Sequence, residues 1–323
     1  MVGGELEGTI VLRAVTLEEP ETLAEASGRA ASPGLDAWLG SSSTVEVRLR
    51  VIRPSRIGLL VQRLPEERPR LLQLPALLRL DSGPLMRVCR FHEGPQGRPW
   101  EHRYCTRRAV TRDGYCSLHA SSWKALYERC AQGGNSACAR AEKLMPPTGG
   151  FTVYALDYGG QKLKIGMTQS WRLLSRIAEQ PHAAAAAVAE YERLTEARSA
   201  EKRLGSLRHA TEGAGSRLVE RLVSAARLVS GSEPSRLASR LAGLLAGLGL
   251  RGAYQGYTVL PSERSPAEMA ALPILGEARA PMAMLLEDYW AGLLLARLGS
   301  DRVLVPKNAL LHLAWRGSLR SLG

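Results

Sequence analysis

The 323-residue sequence predicts a multi-domain α+β protein. Three observations predict it. β-branched or alternating runs occupy both ends of the chain, Leu/Ala-rich stretches with helical spacing fill residues 213–252, and a Cys/His cluster sits in a stretch with little periodicity. The expected parts are a small central sheet with flanking helices, a zinc-stapled module before it, and β-rich N- and C-terminal segments. At about 100–200 residues per domain, the length suits two or three domains.

In chain order, residues 1–84 read as a β-rich domain. Gly8–Leu12 and Thr44–Val51 are expected strands, Ala31–Ser43 is a Gly/Ser/Pro loop, and Arg53–Arg79 reads as an extended basic connection. Residues 85–148 hold the Cys/His cluster and a helix over Ser121–Leu144, with a candidate break at Gly133-Gly134. Within 149–212, Phe151–Leu156 and Leu163–Gly166 read as paired strands joined by a turn at Asp157–Gly160. Ser170 is an expected cap for a helix to Gln180, and Thr195 for a helix ending at Gly205. Between them, Ala183–Leu194 is double-valued. Its alanines favour helix, while Val188–Leu194 alternates like a strand. Residues 213–252 read as two amphipathic helices broken at Gly231–Pro234. Residues 253–323 return to β-like runs at Tyr257–Leu260, Ala283–Leu286 and Arg302–Val305.

Charge narrows the partner. Lys and Arg outnumber Asp and Glu by 43 to 31, a net charge of +12. A polyanion is the natural partner for that field, and nucleic acid is the default, DNA and RNA undistinguished. Aromatic residues make up only 5%, which disfavours extensive base-stacking platforms. No uncharged apolar run reaches the ~18 residues of a membrane span. The polar, acidic start lacks the pattern of a secretory signal, so a cytoplasmic location and no membrane partner are expected. The rival to nucleic-acid binding is a protein-interaction scaffold whose charge is merely compositional.

The five cysteines, Cys89, Cys105, Cys116, Cys130 and Cys138, cluster at 89–138. In a cytosolic chain such crowding reads as metal binding rather than disulfides. Cys116 and His119 form a Cys-x-x-His pair just before a helix. With Cys89 and Cys105 they supply the four soft or borderline donors of a closed, structural Zn2+ site. His92 and His102 are rival fourth ligands. Cys130 and Cys138 read as core residues, with a second metal site as the alternative. Arginines flank the cluster: Arg87, Arg90, Arg98, Arg103, Arg107, Arg108 and Arg112. On a rigid knuckle they could hold phosphates in fixed geometry.

The run Thr152-Val153-Tyr154, followed by Lys164-Ile165-Gly166-Met167-Thr168, resembles the paired strands of GIY-YIG nucleases, most closely the phage-type branch. The wider pattern over residues 85–205 resembles domain-of-unknown-function family 2797. That likeness rests on the Cys/His-rich segment, Val153–Leu156, the Lys-Ile-Gly run and Arg176-Ile177-Ala178-Glu179-Gln180. The nuclease resemblance implies a small sheet, a strand at Val188–Leu194, and a divalent-metal-dependent endonuclease acting on structured DNA or RNA. It implies that Tyr154 orients or deprotonates water, that Lys164 contacts phosphate, that Arg176 neutralises the transition state, and that Glu201 holds Mg2+ or Mn2+. Arg172 is the other candidate arginine. Thr152 stands where the first motif has glycine, and the family's later asparagine has no counterpart. A degenerate scaffold that binds without cutting is the alternative.

Overall fold

A computed structural model describes residues 5–31, 44–207, 210–211, 218–276 and 278–322. The chain is mixed α+β with extensive sheet. It forms two compact units, each assembled from separated segments: Met1–Glu19, Ser55–Pro146 and Leu272–Gly323 in the first, Pro20–Pro54 and Pro147–Ala271 in the second. The long strands Glu5–Ala31 and Thr44–Arg63 contribute to both. The five consecutive stretches expected from the sequence are instead distributed over these two interleaved units.

In the first unit, the start of strand Glu5–Ala31 pairs antiparallel with Leu313–Ser321, from Glu5↔Arg320 to Val11↔Ala314. That strand pairs with Ala76–Leu80, which pairs with Met282–Trp290, and Leu293–Leu298 and Asp301–Pro306 follow. Both ends of the chain therefore build one sheet. Alternation explains the core: Ile57, Leu59 and Val61 join Ile10, Leu12, Leu78 and Trp315 on one apolar face. At Gly317 an added Cβ would lie 1.9 Å from the Arg79 carbonyl oxygen, so only glycine fits that crossing. Arg53–Arg79 is not an extended connection. It contains the end of Thr44–Arg63, then strands Arg70–Gln73 and Ala76–Leu80, because its leucines pair along neighbouring strands.

The expected helix over 121–144 is two helices, Trp123–Ala131 and Asn135–Leu144, with Gly133 at φ 113° between them. Ser122 caps the first by accepting from the Ala125 N–H. Cys130 and Cys138 are corrected here. They are neither free core residues nor a metal site but a disulfide, 4.7 Å between Cα atoms, joining the two helices. The helix hairpin brings together two thiols eight residues apart, which spacing along one helix could not reveal.

In the second unit the sheet runs Ala210–Thr211, Leu163–Gln169, Phe151–Asp157, Ala184–Tyr191, Gly252–Val259 and the start of Thr44–Arg63. The first and last of these pairings are parallel and the others antiparallel. This sheet is wider than the small one expected, because strands assigned from sequence to other segments continue it. The double-valued alanine stretch is strand. It forms the strand Ala184–Tyr191, in which Ala184, Ala185 and Ala186 are wholly buried. Two expected caps fail: Ser170 lies in a 3-10 turn and accepts a bond from Thr152, while the helix Leu194–Gly205 starts one residue before Thr195. The expected helix pair spans Leu218–Gly231 and Pro234–Gly247. The second helix buries Leu237, Leu241 and Leu245 at four-residue spacing. The loop expected at 31–43 lies, beyond Ala31, outside the described residues.

Candidate metal centre

The knuckle of residues 89–119 is held by backbone hydrogen bonds rather than long strands. Cys89 N–H donates to Arg107 O at 2.8 Å, Cys105 N–H to Phe91 O at 2.9 Å, and Arg90 N–H to Gly114 O at 3.0 Å. A 3-10 turn, Ser117–His119, follows Cys116, and His119 N–H returns to Cys116 O at 3.1 Å. That tight turn folds the Cys-x-x-His pair so that both donors face one point.

Four potential ligand atoms meet there. The donors of Cys89, Cys105, Cys116 and His119 all lie within 4.8 Å of one another. His119 Nδ1 is 3.3 Å from Cys116 Sγ and 3.6 Å from Cys89 Sγ, and Cys105 Sγ is 4.0 Å from Cys116 Sγ. A tetrahedron with metal–sulfur bonds of about 2.3 Å has edges of about 3.7 Å, so the set is spaced to hold a metal ion. The Cys116 N–H donates to Cys89 Sγ at 3.3 Å, and Phe91 stacks on the His119 ring at 3.9 Å. Both contacts orient donors as outer-shell groups do. Burial pushes the Cys89 thiol up to about 12 and raises Cys105 as well. Burial opposes ionisation of Cys116 too, but hydrogen bonds from the His119 backbone and from Cys89 outweigh it and lower that pKa. Burial also lowers His119, favouring the neutral imidazole that can ligate.

The rival histidines stand elsewhere. His92 Nδ1 is 3.0 Å from His102 Nδ1 and 2.7 Å from Lys124 Nζ, and His102 Nε2 donates to Pro95 O at 2.7 Å. His92 stacks on both His102 and Tyr104. Burial, then the Lys124 charge, keeps His92 below its ordinary range.

Sequence reading missed the residue that ties this knuckle to the sheet. Arg13 is 2% exposed. It donates through Nη1 to Cys89 O at 2.8 Å, through Nη2 to Cys105 O at 2.7 Å, and through Nε to Gln62 Oε1 at 2.6 Å. The available signal was an arginine closing the apolar run Ile10-Val11-Leu12 on the strand face opposite the main core.

The flanking arginines differ in freedom. Arg87, Arg98, Arg103, Arg107, Arg108 and Arg112 are exposed. Arg103 lies 3.8 Å from Glu67, and half-buried Arg90 is tied to Glu128 at 3.2 Å.

The motif residues of the second unit gather around one glutamine. Tyr154 and Gly166 are directly paired across the hairpin, and a Cβ at Gly166 would meet the Tyr154 hydroxyl at 2.6 Å. Gln180 Nε2 donates to that hydroxyl at 3.0 Å and to Arg176 O at 2.9 Å, while Lys164 Nζ donates to Gln180 Oε1. Arg176 hydrogen-bonds Tyr154 and donates to Glu179 Oε2 at 2.8 Å, and Arg172 also faces Glu179, at 3.8 Å. Tyr154 is 1% exposed and Lys164 8%, whereas the Arg176 side chain is 43% exposed. Glu201 is buried and paired with Arg198, and its charge reaches Lys164. Gln180, the hub of this network, is marked in the sequence only as the end of the Arg176–Gln180 run. Nothing in the sequence marks His182, which is wholly buried. Its Nδ1 donates to Gln180 O at 2.8 Å and its Nε2 accepts the Val259 N–H at 3.0 Å.

No family model, curated protein or solved structure matches the chain.

Proposed function

We propose that the chain binds nucleic acid through a zinc-stapled, arginine-bearing knuckle. The observation that carries the reading is the convergence of Cys89, Cys105, Cys116 and His119 in a segment that also carries the exposed Arg87, Arg103, Arg107, Arg108 and Arg112. Three thiolates and one imidazole are a donor set suited to Zn2+, and four protein ligands leave no open position, so the ion is structural. It fixes loops that carry little secondary structure, and the arginines then meet phosphates as a preset array. The reading includes a cytoplasmic location, in which the Cys130–Cys138 disulfide is the exception to a reduced thiol set.

Fluorescence anisotropy with labelled duplex DNA and structured RNA tests it. Affinity should fall steeply as salt rises, and the double variant Arg107→Gln/Arg108→Gln should flatten that slope by about two contacts. Salt-independent binding, or a variant with the wild-type slope, would sink the reading.

A second reading draws on the resemblance to GIY-YIG nucleases and to domain-of-unknown-function family 2797. The contact between Tyr154 and Arg176, with Lys164 and Glu201 close by, favours it. Glu201 would hold Mg2+ or Mn2+, an ion that neutralises charge building on a leaving oxygen. Tyr154 would orient the attacking water and Arg176 would meet the phosphate. The Gln180–Tyr154 and Arg198–Glu201 contacts must open for this, so binding without cleavage ranks first. Cleavage of branched, single-stranded or duplex substrates that Glu201→Gln abolishes would reverse that order.

A further inference from the structure

The helix hairpin that follows the knuckle is fastened unequally. Helix Trp123–Ala131 is anchored by its own side chains. Ala125 packs with Cys89, Phe91, Tyr115 and Cys116, Glu128 pairs with Arg90 at 3.2 Å, and Arg129 with Asp113 at 2.7 Å. Helix Asn135–Leu144 buries far less. Among the described residues its buried side chains are Ala137, Cys138 and Ala141, two methyl groups and a half-cystine. A ten-residue helix is marginal in water without tertiary packing. Its N-cap is Gly134, which has no side chain to satisfy the first turn, just after Gly133 at φ 113°.

The bond between Cys130 and Cys138 is therefore the firmest tie between the two helices. Its sulfurs are shielded, since Cys130 is 0% and Cys138 3% exposed. A thiol reaches them only when the helix Asn135–Leu144 lifts, so fraying at Gly133-Gly134 gates any exchange. Cys89, Cys105 and Cys116 stay free thiols, so one pair alone is oxidised. In the reducing location proposed above, disulfides are rare and usually transient, catalytic or redox-sensing.

We propose that Cys130 and Cys138 form a reversible thiol–disulfide switch, which rests on that location but not on nucleic-acid binding. Oxidised, it fastens the helix Asn135–Leu144; reduced by a dithiol, it releases it. One thiolate of the dithiol attacks a bridge sulfur, and the other bridge sulfur leaves as a thiolate and takes up a proton. The second thiol of the dithiol then resolves the mixed disulfide. The dithiol ends as a cyclic disulfide and the chain as two thiols, which hold its two protons. Release uncovers the face of Trp123–Ala131 that carries Cys130, with Leu126 one turn before it, while that helix stays on the knuckle.

The test follows hydrogen exchange of the full chain by mass spectrometry. The chain is held in oxidised glutathione, then in dithiothreitol, then in oxidised glutathione again. Reduction should speed exchange at residues 138–144 about 10–100-fold, the scale set by opening a short cross-linked loop. Exchange across Trp123–Ala131 should not change, and reoxidation should restore the slow rates. The double variant Cys130→Ser/Cys138→Ser should exchange as the reduced wild type does, with or without dithiothreitol, which sets aside any effect of the reductant on the knuckle thiols. Should the serines unsettle the fold, the reversible wild-type cycle still decides. A disulfide absent from non-reducing digests of the oxidised chain overturns the proposal. So does a bond that dithiothreitol leaves intact in the folded chain, or a double variant that exchanges as slowly as the oxidised wild type. Equal acceleration in both helices overturns it too, since the whole segment would then have melted. Neither metal nor nucleic acid enters this readout, so its failure is separate from a failed salt titration.

Discussion

Replacing Arg13 with methionine should loosen the proposed zinc site although Arg13 touches none of its four donor atoms. Its forked guanidinium holds the carbonyls of two ligand residues, Cys89 at 2.8 Å and Cys105 at 2.7 Å. Charge-assisted hydrogen bonds contribute about 1.5–3 kcal/mol each, so losing both removes about 3–6 kcal/mol of gross support. Methionine also relieves the penalty of burying a cation. Burial lowers the Arg13 pKa from its ordinary value to about 10, opposed by Tyr104, Cys105 and Cys89. At 1.36 kcal/mol per unit that relief is about 3 kcal/mol. From the middle of that range the remainder is about 1.5 kcal/mol, a loss of about tenfold in metal affinity, within the range typical of outer-shell positioning groups. Competition against a chromogenic chelator measures it. Arg13→Lys should recover only part, because an ammonium cannot span both carbonyls. Wild-type zinc affinity in a folded Arg13→Met chain would refute the argument, since the carbonyls would then need no donor to keep the cysteines in place.

Two further outcomes follow from the second unit. Gly166→Ala should destabilise it by about 1–3 kcal/mol, because the new methyl would lie 2.6 Å from the Tyr154 hydroxyl and force the ring off Gln180; an unchanged urea midpoint would contradict that. His182, wholly buried, has its pKa lowered by burial from 6.5 to about 4, with the Gln180 carbonyl opposing. The unfolded chain therefore binds the extra proton between pH 6.5 and 4, and stability should fall by about 3 kcal/mol as pH drops through that window. The variant His182→Gln should lose this acid sensitivity in melts taken across the range, and equal slopes for both proteins would count against the assignment.

Local chemistry was legible in the sequence and long-range partnership was not. Cys116 and His119 announce themselves because a two-residue gap suffices to aim both donors at one point. The break at Gly133-Gly134 and the hairpin of Phe151–Asp157 with Leu163–Gln169 are equally local, set by glycine freedom and a short turn. Arg13 pairs with residues 76 and 92 positions away, a relation no window of sequence contains. The same holds for the sheet joining Glu5–Val11 to Ala314–Arg320. Cys130 and Cys138 misled for another reason: their spacing suits one helix, and only the reversal at Gln132–Gly134 turns it into a cross-link. Ser170 and Thr195 looked like caps, but the chain starts those helices elsewhere, and Ser170 is engaged by Thr152 from the neighbouring strand.

The interleaving of segments decides how the chain can be cut. Ending it after Pro146 would strip the first unit of Leu313–Ser321, the strand that joins Glu5–Val11 to Ala76–Leu80. Starting it at Pro147 would strip the second unit of the Thr44–Arg63 edge that Gly252–Val259 needs. Neither half is obtained by trimming a terminus. Isolating one unit calls for splicing its separate pieces together with new linkers, and a terminal deletion that abolishes an activity says nothing of where that activity resides.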